Sequence, residues 1–125
     1  MKTILLIEDE DDIREVAQAS LELTRGWTVH AVSSGQDGVE KAAEIQPDAI
    51  LLDVMMPDMD GPTTFARLQE RGDTRAIPVV LLTAKVQPAD RARFAQLGVS
   101  GVLAKPFDPI TLADEVAALL GWNGE

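Results

Sequence analysis

The sequence predicts an α/β fold, a doubly wound parallel sheet with helices on both faces, built from five consecutive βα units. Three observations carry that expectation. Five short runs of β-type composition, at residues 3–7, 27–32, 49–52, 78–82 and 101–104, are each followed by a stretch with helical spacing of apolar residues. The runs at 4–7, 50–52 and 79–82 are apolar at every position, as strands covered on both faces must be, whereas Trp27-Thr28-Val29-His30-Ala31 alternates and suits an edge. Alternating strands and helices imply right-handed crossovers in one parallel sheet. Together these favour the strand order 2-1-3-4-5.

The helices follow in order. Behind the first strand, Ile13, Val16, Ala17, Ser20 and Leu21 share one helical face while Asp12, Arg14, Glu15 and Gln18 fall elsewhere, and Gly26 marks the stop. Ser34-Gly35-Gln36-Asp37 carries a capping signal for the second helix. Asp60-Gly61-Pro62 places a proline at the start of the third behind an acidic cap, and Gly72 is expected at its end. The fourth helix follows the loop 84–88 and is expected to stop at Gly98; its Arg91, Arg93 and Phe94 read as a solvated face or a partner surface. Asp108-Pro109 is expected to open the fifth helix, whose buried face is Ala113, Val116, Ala117 and Leu120. The final residues, Gly121-Trp122-Asn123-Gly124-Glu125, read as a frayed terminus.

A chain of 125 residues with 46% hydrophobic content suits one cored domain, residues 1–125, with no room for a separate output domain. Its formal charge of −10, from 21 acidic and 11 basic residues, argues against direct binding of nucleic acid, which depends on phosphate neutralisation by Lys and Arg. There is no cysteine, hence no disulfide, which is compatible with a reducing cytosol. Acidic residues interrupt the apolar start at Glu8, and no apolar run approaches the roughly 20 residues of a membrane helix. A cytoplasmic location is expected.

The chemistry is expected at the strand exits. Asp53 ends one apolar run and Glu8-Asp9 follows another. In the order 2-1-3-4-5 the first and third strands flank the switch point, so these three carboxylates become neighbours across one crevice. Like charges that close are tolerable only beside a cation, and hard oxygen ligands favour Mg²⁺ or Ca²⁺. Thr83 and Lys105 close the fourth and fifth runs. A metal-held carboxylate can attack phosphorus to give an acyl phosphate, with Lys105 balancing charge on the transferring oxygens and Thr83 donating a hydrogen bond to them. Plainer readings stand beside this one. Glu8 and Asp9 could be acids at a helix N-terminus, and Asp53 a turn aspartate. Glu10, Asp11 and Asp12 read as solvated charge, Asp58 and Asp60 as turn and cap residues, and His30 as an ordinary edge-strand residue.

Taken together, Leu6-Ile7-Glu8-Asp9-Glu10, Leu51-Leu52-Asp53-Val54-Met55-Met56-Pro57-Asp58-Met59-Asp60-Gly61, Leu82-Thr83-Ala84 and Ala104-Lys105-Pro106-Phe107 resemble response-regulator receiver domains, in particular the single-domain, chemotaxis-regulator-like kind. The resemblance implies a flavodoxin-like fold and a histidine-to-aspartate phosphorelay. It implies that Asp53 is the phosphoacceptor, Asp9 a direct Mg²⁺ ligand, Glu8 an acid acting through metal-bound water, and Met55 the donor of a backbone carbonyl. Lys105 would pair with Asp53 or the phosphoryl group, Lys105-Pro106 would be cis, and Thr83 would be the switch hydroxyl. The implied partners are a sensor histidine kinase or histidine phosphotransfer domain and an output protein bound through the fourth helix, fifth strand and fifth helix.

One position departs from the pattern: Val102 stands three residues before Lys105, where the family commonly has Tyr or Phe. Met55 and Lys85, two residues beyond Asp53 and Thr83, are expected to border the attacking-water path. The chain is expected to be a signalling domain that catalyses only its own phosphorylation and dephosphorylation. The alternatives are an aspartate-nucleophile phosphohydrolase of small esters, against which Met55 stands where a second Asp is usual, and a pseudo-receiver that binds partners unphosphorylated. A flavin carrier of the same topology would meet repulsion from Glu8-Asp9-Glu10-Asp11.

Overall fold

The apolar runs pair in parallel, and each amphipathic stretch packs its apolar side back onto the sheet they form. The computed structural model describes residues 1–122. Its elements are β1 (Thr3–Ile7), α1 (Asp11–Arg25), β2 (Thr28–Val32), α2 (Gly35–Ile45), β3 (Ala49–Asp53), α3 (Gly61–Glu70), β4 (Val79–Thr83), α4 (Pro88–Ala95), β5 (Gly101–Ala104) and α5 (Leu112–Leu120). All neighbouring strands are parallel, in the order β2-β1-β3-β4-β5. Trp27 and Pro78 lie just outside their strands, while Asp53 and Thr83 are the last strand residues, opposite Leu82 and Ala104 respectively.

Alternation along the strands divides the core into two layers. Ile4, Leu6, Leu51 and Val80 meet Ala17 and Leu21 of α1 and Ala113 and Val116 of α5. Leu5, Ile7, Ile50 and Leu81 meet Ala42 of α2, Phe65 and Leu68 of α3, and Phe94 of α4. β1, β3 and β4 are buried almost throughout, whereas β2 forms an edge, exposed at Thr28, buried at Val29 and half-buried from His30 to Val32.

The punctuation is largely as expected. Gly26 ends α1 with φ 68° and returns its N–H to Glu22. The Ser34 hydroxyl accepts from the Asp37 N–H, and Asp60 accepts from the Thr63 N–H at 2.8 Å with Pro62 in the first turn. α3 stops one residue earlier than expected, with Arg71 as its cap, and Gly98 at φ 95° lies just past the end of α4.

Four expectations need correction. Val16 is 46% exposed, whereas Leu120, half-buried, packs against the core as expected. α5 starts at Leu112 and not at Asp108-Pro109, because Asp108 caps a turn through the Ile110 N–H and the Pro109 carbonyl accepts from the Ser20 hydroxyl of α1. Phe94 belongs to the core, with 1% of its surface exposed. Trp122 is packed edge-on against Trp27, with ring centroids 5.4 Å apart, and the Lys2 ammonium lies 4.7 Å from its ring. The chain is thus held through Trp122; the rest of the segment expected to fray, residues 123–125, lies outside the described residues.

Candidate functional site at the carboxyl ends of the strands

Parallel pairing carries the ends of β1, β3, β4 and β5 to one edge of the sheet. Past β1, the Glu8 N–H still bonds the Val32 carbonyl at 3.1 Å, so the chain leaves the sheet only at Asp9. Past β3, the Val54 N–H bonds Leu82 at 3.1 Å. The loop 54–60 then folds back sharply: Asp58 adopts φ 67°, and the Gly61 N–H bonds the Val54 carbonyl at 2.8 Å. A Cβ on Gly61 would stand 2.7 Å from the Asp53 carbonyl oxygen and 2.8 Å from Val54 Cα, so this return over the end of β3 requires glycine. Past β5, the Lys105 N–H bonds the Thr83 carbonyl at 2.9 Å, and the Lys105-Pro106 peptide is cis.

These main-chain arrangements converge four side chains. Lys105 Nζ lies 2.8 Å from Glu8 Oε1 and 3.0 Å from Asp53 Oδ1, with Glu10 Oε1 at 3.9 Å. Glu8 and Asp53 are buried, at 0% and 1% exposure. Carboxylate oxygens of Glu8, Asp9 and Asp53 lie within 4.8 Å of one another. Burial first, then the hydrogen bond and charge of Glu8, push Asp53 up to about 7 against the opposing pull of Lys105. Burial would lower Lys105, but its hydrogen bonds to Glu8 and Asp53 and their charges outweigh this and hold it above its ordinary value.

One ammonium therefore faces three carboxylates. Asp9 Oδ1 and Asp53 Oδ2 are buried with no hydrogen-bond partner among the described residues. A buried carboxylate oxygen without a partner is costly. A hard divalent cation would satisfy both oxygens and the excess charge at once, so the donor set fits Mg²⁺. The site opens into a cleft of about 350 Å³ lined by Glu10, Ile13, Asp53, Met55, Ala84 and Lys105.

Glu8, Asp9, Asp53 and Lys105 are thus assembled as the sequence suggests. Met55 is 60% exposed on the cleft wall. Thr83 ends the adjoining strand, but its buried hydroxyl accepts from the Lys85 N–H at 2.9 Å and does not reach the carboxylates. His30 sits on edge strand β2, away from the cleft. Glu10, expected as solvated charge, is 61% exposed and also lines the cleft, while one residue near the site escaped the sequence reading. Arg14, read as part of the polar face of α1, bonds the carbonyls of Glu8 and Asp9. A cation in the first turn of a helix, at the unfavourable end of the dipole, was the available signal for Arg14.

The family model for the response regulator receiver domain matches residues 4–117. The chain belongs to that family. This receiver is 37% identical over 117 residues to the transcriptional regulatory protein SrrA of Staphylococcus aureus, covering 94% of this chain and 47% of that protein. It therefore spans about half the length of the curated relatives it matches. Among solved structures, the chemotaxis protein CheY4 of Vibrio cholerae is similar to it with a TM-score of 0.87 at 27% identity, covering 95% of this chain and 98% of that one. The receiver domain of the sensor histidine kinase PA1611 of Pseudomonas aeruginosa, solved with a magnesium ion coordinated in its active site cleft, is similar with a TM-score of 0.83 at 32% identity, covering 99% and 98% of the two chains. The receiver family acts in phosphorylation-based signalling, as phosphoacceptor domains of two-component systems.

Proposed function

We propose that this receiver takes a phosphoryl group onto Asp53 from a phosphohistidine on a sensor histidine kinase or histidine phosphotransfer domain, with Mg²⁺, and switches the binding of an output protein. The observation that carries the reading is the cluster of buried Glu8 and Asp53 with half-buried Asp9, in which Lys105 bridges Glu8 and Asp53. Glu8, Asp9 and Asp53, completed by the Met55 backbone carbonyl, would hold the metal, which when bound neutralises charge on the transferring oxygens. An Asp53 oxygen attacks phosphorus as the P–N bond to histidine breaks, the electron pair stays on the imidazole, and solvent returns a proton to it. Lys105 then exchanges its bond to Asp53 for one to the phosphoryl group. The Thr83 hydroxyl turns from the Lys85 N–H towards the same oxygens.

Two surfaces support the partners. An apolar groove of about 230 Å³, lined by Ile13, Val16, Phe107 and Pro109, adjoins Lys105 and Pro106 at the cleft rim and suits a helix of the phosphodonor. α4, β5 and α5 offer the output surface, since α4 directly follows the loop that Thr83 controls. Chemistry confined to its own Asp53 makes this a signalling module and not an enzyme acting on outside substrates. Among the described residues no helix is long and apolar enough to cross a membrane, and a cytoplasmic site of action fits a kinase-fed module. Intact-mass spectrometry after incubation with acetyl phosphate tests the reading. A single Mg²⁺-dependent phosphoryl adduct, lost in Asp53→Asn, is expected; an adduct that persists in the mutant would remove Asp53 from the role.

A further inference from the structure

Arg14 occupies an electrostatically poor place. It lies in the first turn of α1, where the partial positive charge of the helix end disfavours a cation. Its ion pair with Asp11 at 2.6 Å offsets little of this, because Asp11 is 79% exposed and such pairs are weak. What distinguishes Arg14 is its other contacts. Nη1 donates to the Glu8 carbonyl at 2.9 Å and reaches the Asp9 carbonyl at 3.5 Å, while Nη2 donates to Asp11. A single planar guanidinium thus ties the start of α1 back to the two peptide groups whose side chains converge on Asp53. Lysine offers a point charge on a flexible stem and has no such fork.

We infer that Arg14 is the positioning residue of the metal site, fixing the main chain of Glu8 and Asp9 so that their carboxylates meet Asp53 at a spacing that accepts a divalent cation. The inference rests on the proposed Mg²⁺-dependent phosphoacceptor role. Partners that orient metal ligands without touching the metal typically carry about 10–100-fold in affinity. The sign separates positioning from simple charge. As a mere cation near the site, Arg14 would repel Mg²⁺, so its removal would tighten binding. As a positioning residue, its removal loosens binding, and Arg14→Lys, which keeps the charge and loses the fork, also loosens it.

The test is Mg²⁺ titration calorimetry on the full chain at fixed ionic strength, with Asp9→Ala as the reference variant and metal-free melting curves for each protein. Arg14→Ala and Arg14→Lys are expected to raise the Mg²⁺ Kd by about tenfold. Their metal-free Tm should stay near that of the unsubstituted protein, and raised Mg²⁺ should restore the phosphoryl adduct. Unchanged or tighter Mg²⁺ binding in Arg14→Ala, beside a weakened Asp9→Ala, would overturn the inference and leave the metal site standing. So would an Arg14→Lys protein that binds Mg²⁺ as the original does. A loss of metal-free Tm that raised Mg²⁺ does not repair would assign Arg14 to folding alone and equally overturn it. Failure of the unsubstituted chain to bind Mg²⁺ at all would instead sink the metal reading on which the inference stands.

Discussion

The two sides of the sheet hold their helices by different means. α1 runs 15 residues, buries Ala17, Ser20 and Leu21, and is tied to the α5 side by the Ser20 hydroxyl on the Pro109 carbonyl and by Arg25 on Asp114 at 2.7 Å. Beyond its end, Trp27 and Trp122 close the same side. On the opposite face α4 runs eight residues and buries only Phe94. Its other side chains are exposed or half-exposed, and its one ion pair among the described residues, Arg93 with Asp90, lies within the helix. Segments with few buried anchors open at the lowest free-energy cost, and switching elements are drawn from them. The frame of this receiver is therefore the α1–α5 side, with α2 and α3 anchored through Ala42, Phe65 and Leu68 on the other, and the element freest to repack is α4, which follows Thr83 through the loop 84–87.

Removing Phe94 should break that contrast with the largest effect. Its ring packs in the layer of Leu5, Ile50 and Leu81, with Val99 and Val102 against the same cluster. Phe94→Ala is expected to lower stability by about 3–5 kcal/mol in urea titrations, the usual range for deleting a buried ring. Hydrogen exchange should show lost protection concentrated in α4, with α1 little changed. Equal loss in α1 and α4 would mean that the two faces unfold as one unit and that α4 has no special freedom.

This asymmetry was only partly legible in the sequence. Strand positions and order were readable because all-apolar runs and one alternating run leave few arrangements, and the carboxylates at two strand exits followed from topology. Phe94 was not readable as core, since α4 has a polar composition and a lone aromatic among arginines matches a surface as well as an anchor. Val16 falls on the right helical face yet is exposed, because it borders the groove beside Phe107 and Pro109 and not the sheet. The start of α5 was misplaced because a proline behind an aspartate signals a turn as readily as a helix. Arg14 escaped for a different reason: its bonds go to main-chain carbonyls five and six residues away, and side-chain periodicity carries no trace of those.

A second, smaller effect concerns the residues that join the two sides. Lys105, following β5, bridges Glu8 after β1 and Asp53 at the end of β3. The fold raises Asp53 from 3.8 to about 7, so between those values the folded state binds a proton that the unfolded chain has released. That contribution is fully present below about pH 4 and is lost as pH rises through about 7, a decline of at most about 4 kcal/mol. Metal-free melting temperatures should accordingly fall from pH 4 to pH 7, and Mg²⁺ should restore stability near pH 7 while doing little near pH 4. Lys105 is raised in the folded state, so its contribution persists through this window and is lost only above its ordinary range. A metal-free melting temperature that rises from pH 4 to pH 7 would contradict the burial of Asp53 in an uncompensated acidic cluster.

The smallest effect probes the sturdier side. Arg25 donates to Asp114 Oδ1 through both Nε and Nη2, at 3.2 and 2.7 Å, and its guanidinium lies 5.8 Å from the Trp27 ring centroid. Asp114 is 69% exposed, so the pair works in water and is screened by salt. Arg25→Ala should therefore cost roughly 0.2–1 kcal/mol, shrinking at high salt, because the Ser20 bond, the apolar α1–α5 contacts and the Trp27–Trp122 packing remain. Melting curves at low and high salt check this. A loss comparable to that of Phe94→Ala would show that the α1–α5 side also hangs on one anchor, and the difference between the two faces would then be one of side-chain chemistry and not of redundancy.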